Sequence, residues 1–243
     1  MRIATFNVEN LFTRYLFAKG VDRHRAATEG FQSEDLRFRL ADAESKQITA
    51  EVVRAVDADV WAFQEVEDQD TLKHFRDRWL GGRHAYPHLL VIDGNDQRRI
   101  DVGVMSRFPI VHARTWQHLW HGDDPVFDRD CLEVDVEGPV GRITLYVNHF
   151  KSMRLPNGAT GSGRAATRDR RLLQSHTVRE IVEGRFDDPA RAPFVVLGDL
   201  NDHMLTDAEG APGIGPLVGW DAVENVLDRL PERDRWTHCY AGS

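Results

Sequence analysis

The sequence has little cysteine, no long apolar run and no excess of positive charge. Its 243 residues include two cysteines, Cys131 and Cys239, which are too few for a disulfide framework. A membrane-spanning helix needs about 18 consecutive apolar residues, and no stretch of the sequence approaches that length, so no membrane span is expected. Lysine and arginine number 31 against 39 aspartates and glutamates. The net charge of −8 argues against tight, nonspecific binding of duplex DNA through a broad basic face.

The N-terminal residues lack the long apolar segment and the cleavage site of a secretion signal. We therefore expect a cytoplasmic protein if Met1 is the native start, and an extracellular one if a signal upstream of Met1 has been removed.

The apolar fraction of 41% and the charged fraction of 29% are ordinary for a globular protein. Because α/β domains reach about 250 residues, we predict a single domain over residues 1–243. The sequence carries no signal for an oligomeric state.

Short apolar runs alternate with stretches of helical periodicity. The runs predict strands at 3–6, 60–64, 102–106, 131–136, 142–150 and 194–197. Helices are predicted at 41–57, with Ile48, Val52, Val53 and Val56 at helical spacing, and at 69–79 and 164–183. In 131–136 apolar residues alternate with Glu133 and Asp135, which predicts a half-exposed strand. This order favours mixed sheets with helices outside them.

Polar residues stand at the ends of four of the apolar runs. Asn7 and Glu65 directly follow the runs at 3–6 and 60–64, and His149 closes the run Ile143–Val147 together with Asn148. Asp199 follows the run at 194–197 after Gly198, and Asn201 comes two residues later. Any one of them has an ordinary alternative as a turn former, since Asn and Asp bond to their own backbone. Polar side chains at the ends of several buried strands commonly line a pocket at a sheet edge. Taken together, the five residues favour such a pocket.

The chemistry of this set favours a hard metal ion. Carboxylate and amide oxygens suit Mg²⁺ or Mn²⁺ better than zinc. In an extended segment Asp199 and Asn201 point the same way, so Asp199 could orient or deprotonate a water while Asn201 donates to a phosphate. His149 could donate to a nonbridging phosphate oxygen, where charge builds up in the transition state. The set predicts metal-assisted hydrolysis of a phosphoester.

Five segments, spread over almost the whole chain, resemble the endonuclease/exonuclease/phosphatase superfamily, which includes pancreatic deoxyribonuclease and exonuclease III. They are IATFNVENL at 3–11, VWAFQEVED at 60–68, DVGVMSRFPI at 101–110, LYVNHFKS at 145–152 and VVLGDLND at 195–202. The segments NVEN, QEVED, NHFKS and GDLND are especially similar to bacterial extracellular deoxyribonucleases of this superfamily. The resemblance implies a four-layer α/β/β/α sandwich of two mixed β-sheets flanked by helices.

The resemblance also implies roles for individual residues. Glu65 would be the principal metal ligand with Asn7 nearby, His149 would stabilise the phosphate, and Asp199 and Asn201 would position the nucleophile and the transition state. Arg171, together with Gln174, would lie near the substrate. The alternative for Arg171 is a solvated, charge-paired helix face. Lys151 could reach a phosphate, and its alternative is an exposed, salt-bridging lysine.

The chain departs from the family at its end. Family members normally end with a strand followed by Ser-Asp-His, whereas this sequence ends Ala241-Gly242-Ser243. We therefore expect a domain that lacks its C-terminal strands. Either these residues are part of a longer protein, or the pocket belongs to a noncatalytic binding module.

The expected function is divalent-metal-dependent hydrolysis of phosphodiester bonds, with nucleic acid, and DNA in particular, as the partner. The alternatives are hydrolysis of a small phosphoester or a phospholipid headgroup, and binding without turnover.

Overall fold

Each predicted strand and helix has a counterpart in the computed structural model. The structure describes residues 1–12, 15–17, 38–40, 43–155, 158 and 160–237. Their contacts divide the chain into two compact units. The first unit contains Met1–Phe150 and Pro193–Leu200, and the second contains Lys151–Ala192 and Asn201–Ser243. The single domain over residues 1–243 stays a prediction. The expectation of missing C-terminal strands concerns the chain end, where 238–243 lie outside the described residues.

Among the described residues of the first unit there are twelve strands and two α-helices. The strands are β1 Ile3–Leu11, β2 Tyr15–Phe17, β3 Phe38–Leu40, β4 Val60–Val66, β5 His88–Val91, β6 Asp101–Ser106, β7 Ile110–Arg114, β8 Trp120–His121, β9 Asp124–Pro125, β10 Cys131–Gly138, β11 Gly141–His149 and β12 Phe194–Asp199. The helices are α1 Ala43–Val56 and α2 Gln69–Trp79. The second unit contains α3 Gly163–Arg185 and the short helix α4 Gly215–Val218. Among the described residues, no helix is long and apolar enough to cross a membrane.

Two four-stranded sheets form the centre of the first unit. One has the strand order β1-β4-β6-β5 and the other β12-β11-β10-β7. Each is mixed, because β1 runs parallel to β4 and β11 runs parallel to β12, whereas the other neighbours are antiparallel. The predicted architecture of two mixed sheets with helices is thereby confirmed.

An apolar layer joins the two sheets. Alternate residues of β4 and β6 meet alternate residues of β10 and β11, as the two-residue period of a strand requires. The fully buried members are Val60, Ala62, Val102, Val104, Leu132, Val134, Val136, Leu145 and Val147. The sheets therefore face each other across a common core.

The other face of the first sheet packs against the helices. Trp61 and Phe63 of β4 stack with ring centroids 5.5 Å apart and join Val53 of α1 and Phe75 of α2 in one buried cluster. Strand β4 is thus buried on both faces, as its continuous apolar run predicts. The expected apolar face of α1 is wrong in part: Val53 is buried, but Ile48 is 58% exposed because the helix packs through the side that carries Ala50 and Val53.

Strand β10 corrects the expectation of a half-exposed strand. Its residues are buried from Cys131 to Val136, including Glu133 and Asp135. The two carboxylates tolerate burial because they accept hydrogen bonds, Glu133 from Trp116 Nε1 at 2.9 Å and Asp135 from Thr144 Oγ1 at 2.7 Å. The alternation of apolar and acidic residues therefore marks two buried faces of different polarity. Cys131, at the start of this strand, is a free cysteine with no exposed surface.

The pairing of β11 with β12 requires a glycine at position 198. Asn148 is paired with Gly198, and the next pair is His149 with Asp199. Gly198 has a φ of +132°, and an added Cβ would lie 1.9 Å from the carbonyl oxygen of Asn148. A backbone approach this close excludes any side chain at this position. It also sets where the two polar residues at the ends of the strands can lie.

We expect Gly198→Ala to destabilise the protein by about 3 kcal/mol, because both the positive φ and the clash oppose a methyl group. Gly184→Ala is the matched control, since Gly184 lies in α3 with no atom within 4 Å of an added Cβ. That variant should gain about 0.5 kcal/mol from a better helix propensity. Chemical denaturation measures both, and equal stabilities would contradict the packing of β11 on β12.

Candidate active site

Four of the predicted site residues meet in the first unit. Asn7 lies in the middle of β1, where its pairing with β4 becomes irregular, and Glu65, His149 and Asp199 lie at or next to the ends of their strands. Asn7 Nδ2 donates to Asp199 Oδ2 at 2.9 Å and to Glu65 Oε1 at 3.4 Å. His149 Nε2 lies 3.9 Å from Glu65 Oε1 and 3.9 Å from Asp199 Oδ2. Asn7 and Glu65 come from one sheet, and His149 and Asp199 from the other. The structure therefore brings an amide, two carboxylates and an imidazole together.

An irregular backbone aims Glu65 into this cluster. The pairing of β4 with β6 shifts register between Gln64 and Val66, and Glu65 itself has a φ of +66°. Its Oε2 accepts a hydrogen bond from the backbone N–H of Asn10 at 3.1 Å, and Asn10 also has a positive φ of 67°. Non-glycine residues in this region cost about 1–3 kcal/mol each. Such strain persists where the surrounding structure holds a side chain in a required place.

The environment of His149 keeps its imidazole neutral. The side chain is buried, and burial is the main cause that lowers its pKa to about 3. The positive charge of Arg129 lowers the pKa further, whereas the negative charge of Asp199 opposes the shift. At pH 7 the ring is therefore uncharged and has one N–H to donate. A neutral donor beside two carboxylates is suited to contact an oxygen of an anionic substrate.

Arg129 is a residue of this region that the sequence analysis missed. Its side chain is buried, its Nη1 donates to the carbonyl oxygen of Phe150 at 3.1 Å, and its Nε lies 3.1 Å from Asp96 Oδ2. Phe150 directly follows His149, so the guanidinium also supports the end of β11. In the sequence Arg129 stands between two aspartates, which is typical of an exposed, charge-paired loop and gave no signal.

The donor set of the cluster fits a hard divalent cation. Mg²⁺ usually takes one or two carboxylates and keeps several waters. Glu65 and Asp199 offer carboxylate oxygens, whereas Asn7 turns its Nδ2 toward both carboxylates and its Oδ1 accepts the backbone N–H of Glu9 at 3.0 Å. Among the described residues, no group of three His, Cys, Asp or Glu side chains forms a metal cage. The carboxylate oxygens of Glu65 and Asp199 are the ligands in this cluster that would suit such an ion.

The other three predicted site residues belong to the second unit. Asn201 has a φ of +51° and is half-buried, as is Lys151. Arg171 is fully buried, and it pairs with Asp202 through Nε at 3.0 Å. Its guanidinium therefore exposes no surface. The sequence predicted either a place near the substrate or a solvated helix face, and the buried guanidinium differs from both. The predicted roles of the three residues stay predictions.

We expect the imidazole of His149 to stay neutral between pH 5 and 8 in the metal-free protein, given a pKa of about 3. Arg129→Met should raise that pKa, because it removes the positive charge that lowers the pKa most. Arg98→Met is the matched control and should raise it less, since Arg98 acts on His149 more weakly than Arg129. Nuclear magnetic resonance titration of the ring carbons measures all three proteins. Identical titration in the two variants would contradict the place given to Arg129.

Comparison with solved structures shows which proteins share this fold. An endonuclease/exonuclease/phosphatase protein from Beutenbergia cavernae aligns with a TM-score of 0.54 and 18% identity over 86% of this chain and 49% of that chain. A family protein from Bacteroides thetaiotaomicron gives 0.52 and 16% over 90% and 68%. A mannosyl-6-phosphatase from the same species gives 0.51 and 16% over 90% and 70%. The chain thus spans 49–70% of the length of these three proteins.

Sequence comparison gives the family. No curated protein gives a significant match. The family model described as Endonuclease/Exonuclease/phosphatase family matches residues 4–237, which include all seven predicted site residues. The chain therefore belongs to the endonuclease/exonuclease/phosphatase family.

Proposed function

We propose that the chain hydrolyses phosphodiester bonds with the help of Mg²⁺ or Mn²⁺, and that DNA is its substrate. The observation that carries this proposal is the cluster of Asn7, Glu65, His149 and Asp199, with Asn7 bonded to both carboxylates. Family membership supports hydrolysis of a phosphoester bond. The likeness of the segments NVEN, QEVED, NHFKS and GDLND to bacterial deoxyribonucleases supports DNA as the substrate.

Glu65 is the residue that would hold the metal ion, and Asn7, whose Nδ2 donates to Glu65 Oε1, would orient that carboxylate. The ion would polarise a phosphoryl oxygen and help to orient the substrate. The strained backbone at Glu65 and the hydrogen bond from Asn10 keep the carboxylate in one orientation before any ligand arrives. This preorganisation avoids the entropic cost of ordering the side chain during binding.

Asp199 orients and deprotonates the attacking water. Its side chain is 32% exposed, so water can reach the carboxylate. The hydrogen bond from Asn7 Nδ2 to Oδ2 holds the carboxylate in place. A general base of this kind contributes about 10²–10⁴-fold to the rate.

His149 stabilises the negative charge that develops on the phosphate. The neutral imidazole donates its N–H to a nonbridging oxygen, and the buried charge of Arg129 adds a favourable potential. Lys151 and Asn201 each follow one of these strand-end residues by two positions along the chain. We assign phosphate binding to the Lys151 ammonium and a hydrogen bond to the transition state to the Asn201 amide.

A small phosphoester is the second candidate substrate, and the net charge of −8 favours it over a long polyanion. The mannosyl-6-phosphatase among the similar structures is named for such a substrate. Its identity of 16% supports the shared fold, so the comparison of substrates decides between the two.

We expect Asp199→Ala to reduce metal-dependent nicking of supercoiled plasmid by about 10²–10⁴-fold, since the variant loses its general base. Asp169→Ala is the matched control, because Asp169 is an aspartate of α3 with a side chain 96% exposed, and it should nick like the wild type. EDTA should stop nicking by the wild type. Nicking that survives Asp199→Ala would overturn the mechanism. Binding of Mg²⁺ in calorimetry without turnover of any phosphoester would favour the binding module.

A duplex oligonucleotide should give a higher kcat/KM than p-nitrophenyl phosphate or a hexose 6-phosphate. The DNA reaction should also slow as salt rises, because contacts to the phosphate backbone release counterions. Steady-state kinetics at two salt concentrations measures both effects. A faster reaction with the hexose 6-phosphate would establish the second candidate in place of DNA.

A further inference from the structure

One side of helix α3 buries polar side chains. Arg164, Thr167, Arg171 and Gln174 follow one another at intervals of three or four residues, so they share a face of the helix. All four are buried, and Arg171 and Gln174 have no exposed surface. Buried polar groups are stable when hydrogen bonds replace their contacts with water. The hydrogen-bond partners of this face therefore show which chain segments are attached to the helix.

Asp202 is the first partner. Its carboxylate is fully buried, and Oδ1 accepts from Arg164 Nε at 2.8 Å, while Oδ2 accepts from Arg171 Nε at 3.0 Å. The backbone N–H of Gly213 also donates to Oδ2, at 2.7 Å. Burial raises the pKa of Asp202, but the hydrogen bonds from Arg164, Gly213 and Arg171 outweigh it and leave the pKa below its usual value. The segment that carries Asn201 is thus tied to α3 by an ionised carboxylate.

Arg171 uses its remaining donors inside the same unit. Its Nη1 donates to Thr167 Oγ1 at 2.6 Å and to the carbonyl oxygen of Lys151 at 3.4 Å, and its Nη2 donates to the carbonyl oxygen of Arg164 at 2.8 Å. One guanidinium therefore bonds both to Asp202, next to Asn201, and to the backbone of Lys151. No exposed donor is left to meet a phosphate.

Gln174 completes the attachment of Lys151. Its Oε1 accepts the backbone N–H of Lys151 at 2.8 Å. The N–H and the carbonyl oxygen of Lys151 are therefore both bonded to side chains of α3. Because both peptide groups are bonded, the backbone of Lys151 has a fixed position, and this limits where its ammonium group can lie.

Two glycines allow the segments to approach the helix. An added Cβ on Gly163, the first residue of α3, would lie 1.8 Å from the carbonyl oxygen of Met153. On Gly213 it would lie 2.8 Å from Arg171 Cβ and 3.2 Å from Asp202 Oδ2. Side chains at these positions would push the segments away from α3. This close packing agrees with a helix that holds the two segments in place, since flexible loops need no such contact.

We propose that Arg171, Gln174 and Asp202 are positioning residues, which hold the chain segments of Lys151 and Asn201 against α3 so that these two side chains act on the substrate. The inference rests on the proposed function and deepens it. It replaces direct contact between Arg171 and the substrate with an indirect role. In the sequence pattern Arg-x-x-Gln at 171–174, both side chains then bind the backbone of Lys151 and not the substrate.

A double-mutant cycle between Gln174→Leu and Lys151→Ala tests the proposal on the full chain. Gln174→Leu removes the acceptor of the Lys151 N–H and should lower kcat/KM about tenfold, because small displacements of a contacting group are costly. In the Lys151→Ala background the same substitution should cause no further loss. The loss of Tm should be equal in both backgrounds, which separates positioning from stability.

Thr177→Ala is the matched control. Thr177 is a buried polar residue of α3, and its Oγ1 bonds within the helix to the carbonyl oxygen of Leu173. This variant should lower Tm and leave kcat/KM within twofold of the wild type.

The corresponding cycle between Arg171→Lys and Asn201→Ala tests the second segment. There the loss should appear in kcat and vanish in the Asn201→Ala background.

Hydrogen exchange gives a measurement that is independent of activity. The amide of Lys151 should exchange at least about tenfold faster in Gln174→Leu than in the wild type or Thr177→Ala, since opening of the bond exposes the N–H. Unchanged exchange, or an equal fall of kcat/KM in both backgrounds, would overturn the positioning role. A wild-type chain that hydrolyses no phosphoester would overturn the proposed function, and the exchange rate would then decide the positioning alone.

Discussion

The apolar layer between the two sheets is the constraint on which the first unit depends. Alternate side chains of β4, β6, β10 and β11 fill it, so a slip of one residue would turn each apolar set away from the core. The register of the parallel pairs is fixed in this way, with Asn7 beside Gln64 and His149 beside Asp199. The polar ends of the strands meet because the apolar parts before them are packed.

The cluster itself departs from what stabilises the rest of the unit. Glu65 has a left-handed backbone, His149 is buried without charge, and Arg129 is a cation removed from water. Each of these features costs free energy in isolation. The packed sheets offset the cost and hold the groups where an anionic ligand would benefit from them. The hydrogen bonds from Asn7 and Asn10 orient the two carboxylates of the cluster.

The sequence predicts the fold well because its main signals are local. Apolar runs mark the strands, and Asn7 and Glu65 follow the runs at 3–6 and 60–64 directly. The left-handed turn at Glu65 was not predictable, since it depends on the register of β4 against β6. The burial of Glu133 depends on Trp116, seventeen residues earlier, which composition cannot reveal. Arg171 was hard to place for the same reason, because its partner Asp202 is distant in sequence.

The buried thiol of Cys131 makes the second sheet a natural reporter of its own opening. Cys131 is paired with Asn148 across β10 and β11, and it has no exposed surface. Burial is the main cause that raises the pKa of this thiol well above its usual value, and the negative charge of Asp130 adds to the effect. The reactive thiolate is therefore scarce while the thiol stays buried. Alkylation of Cys131 requires that the covered face of β10 become exposed to solvent, so its rate follows the local opening of the second sheet.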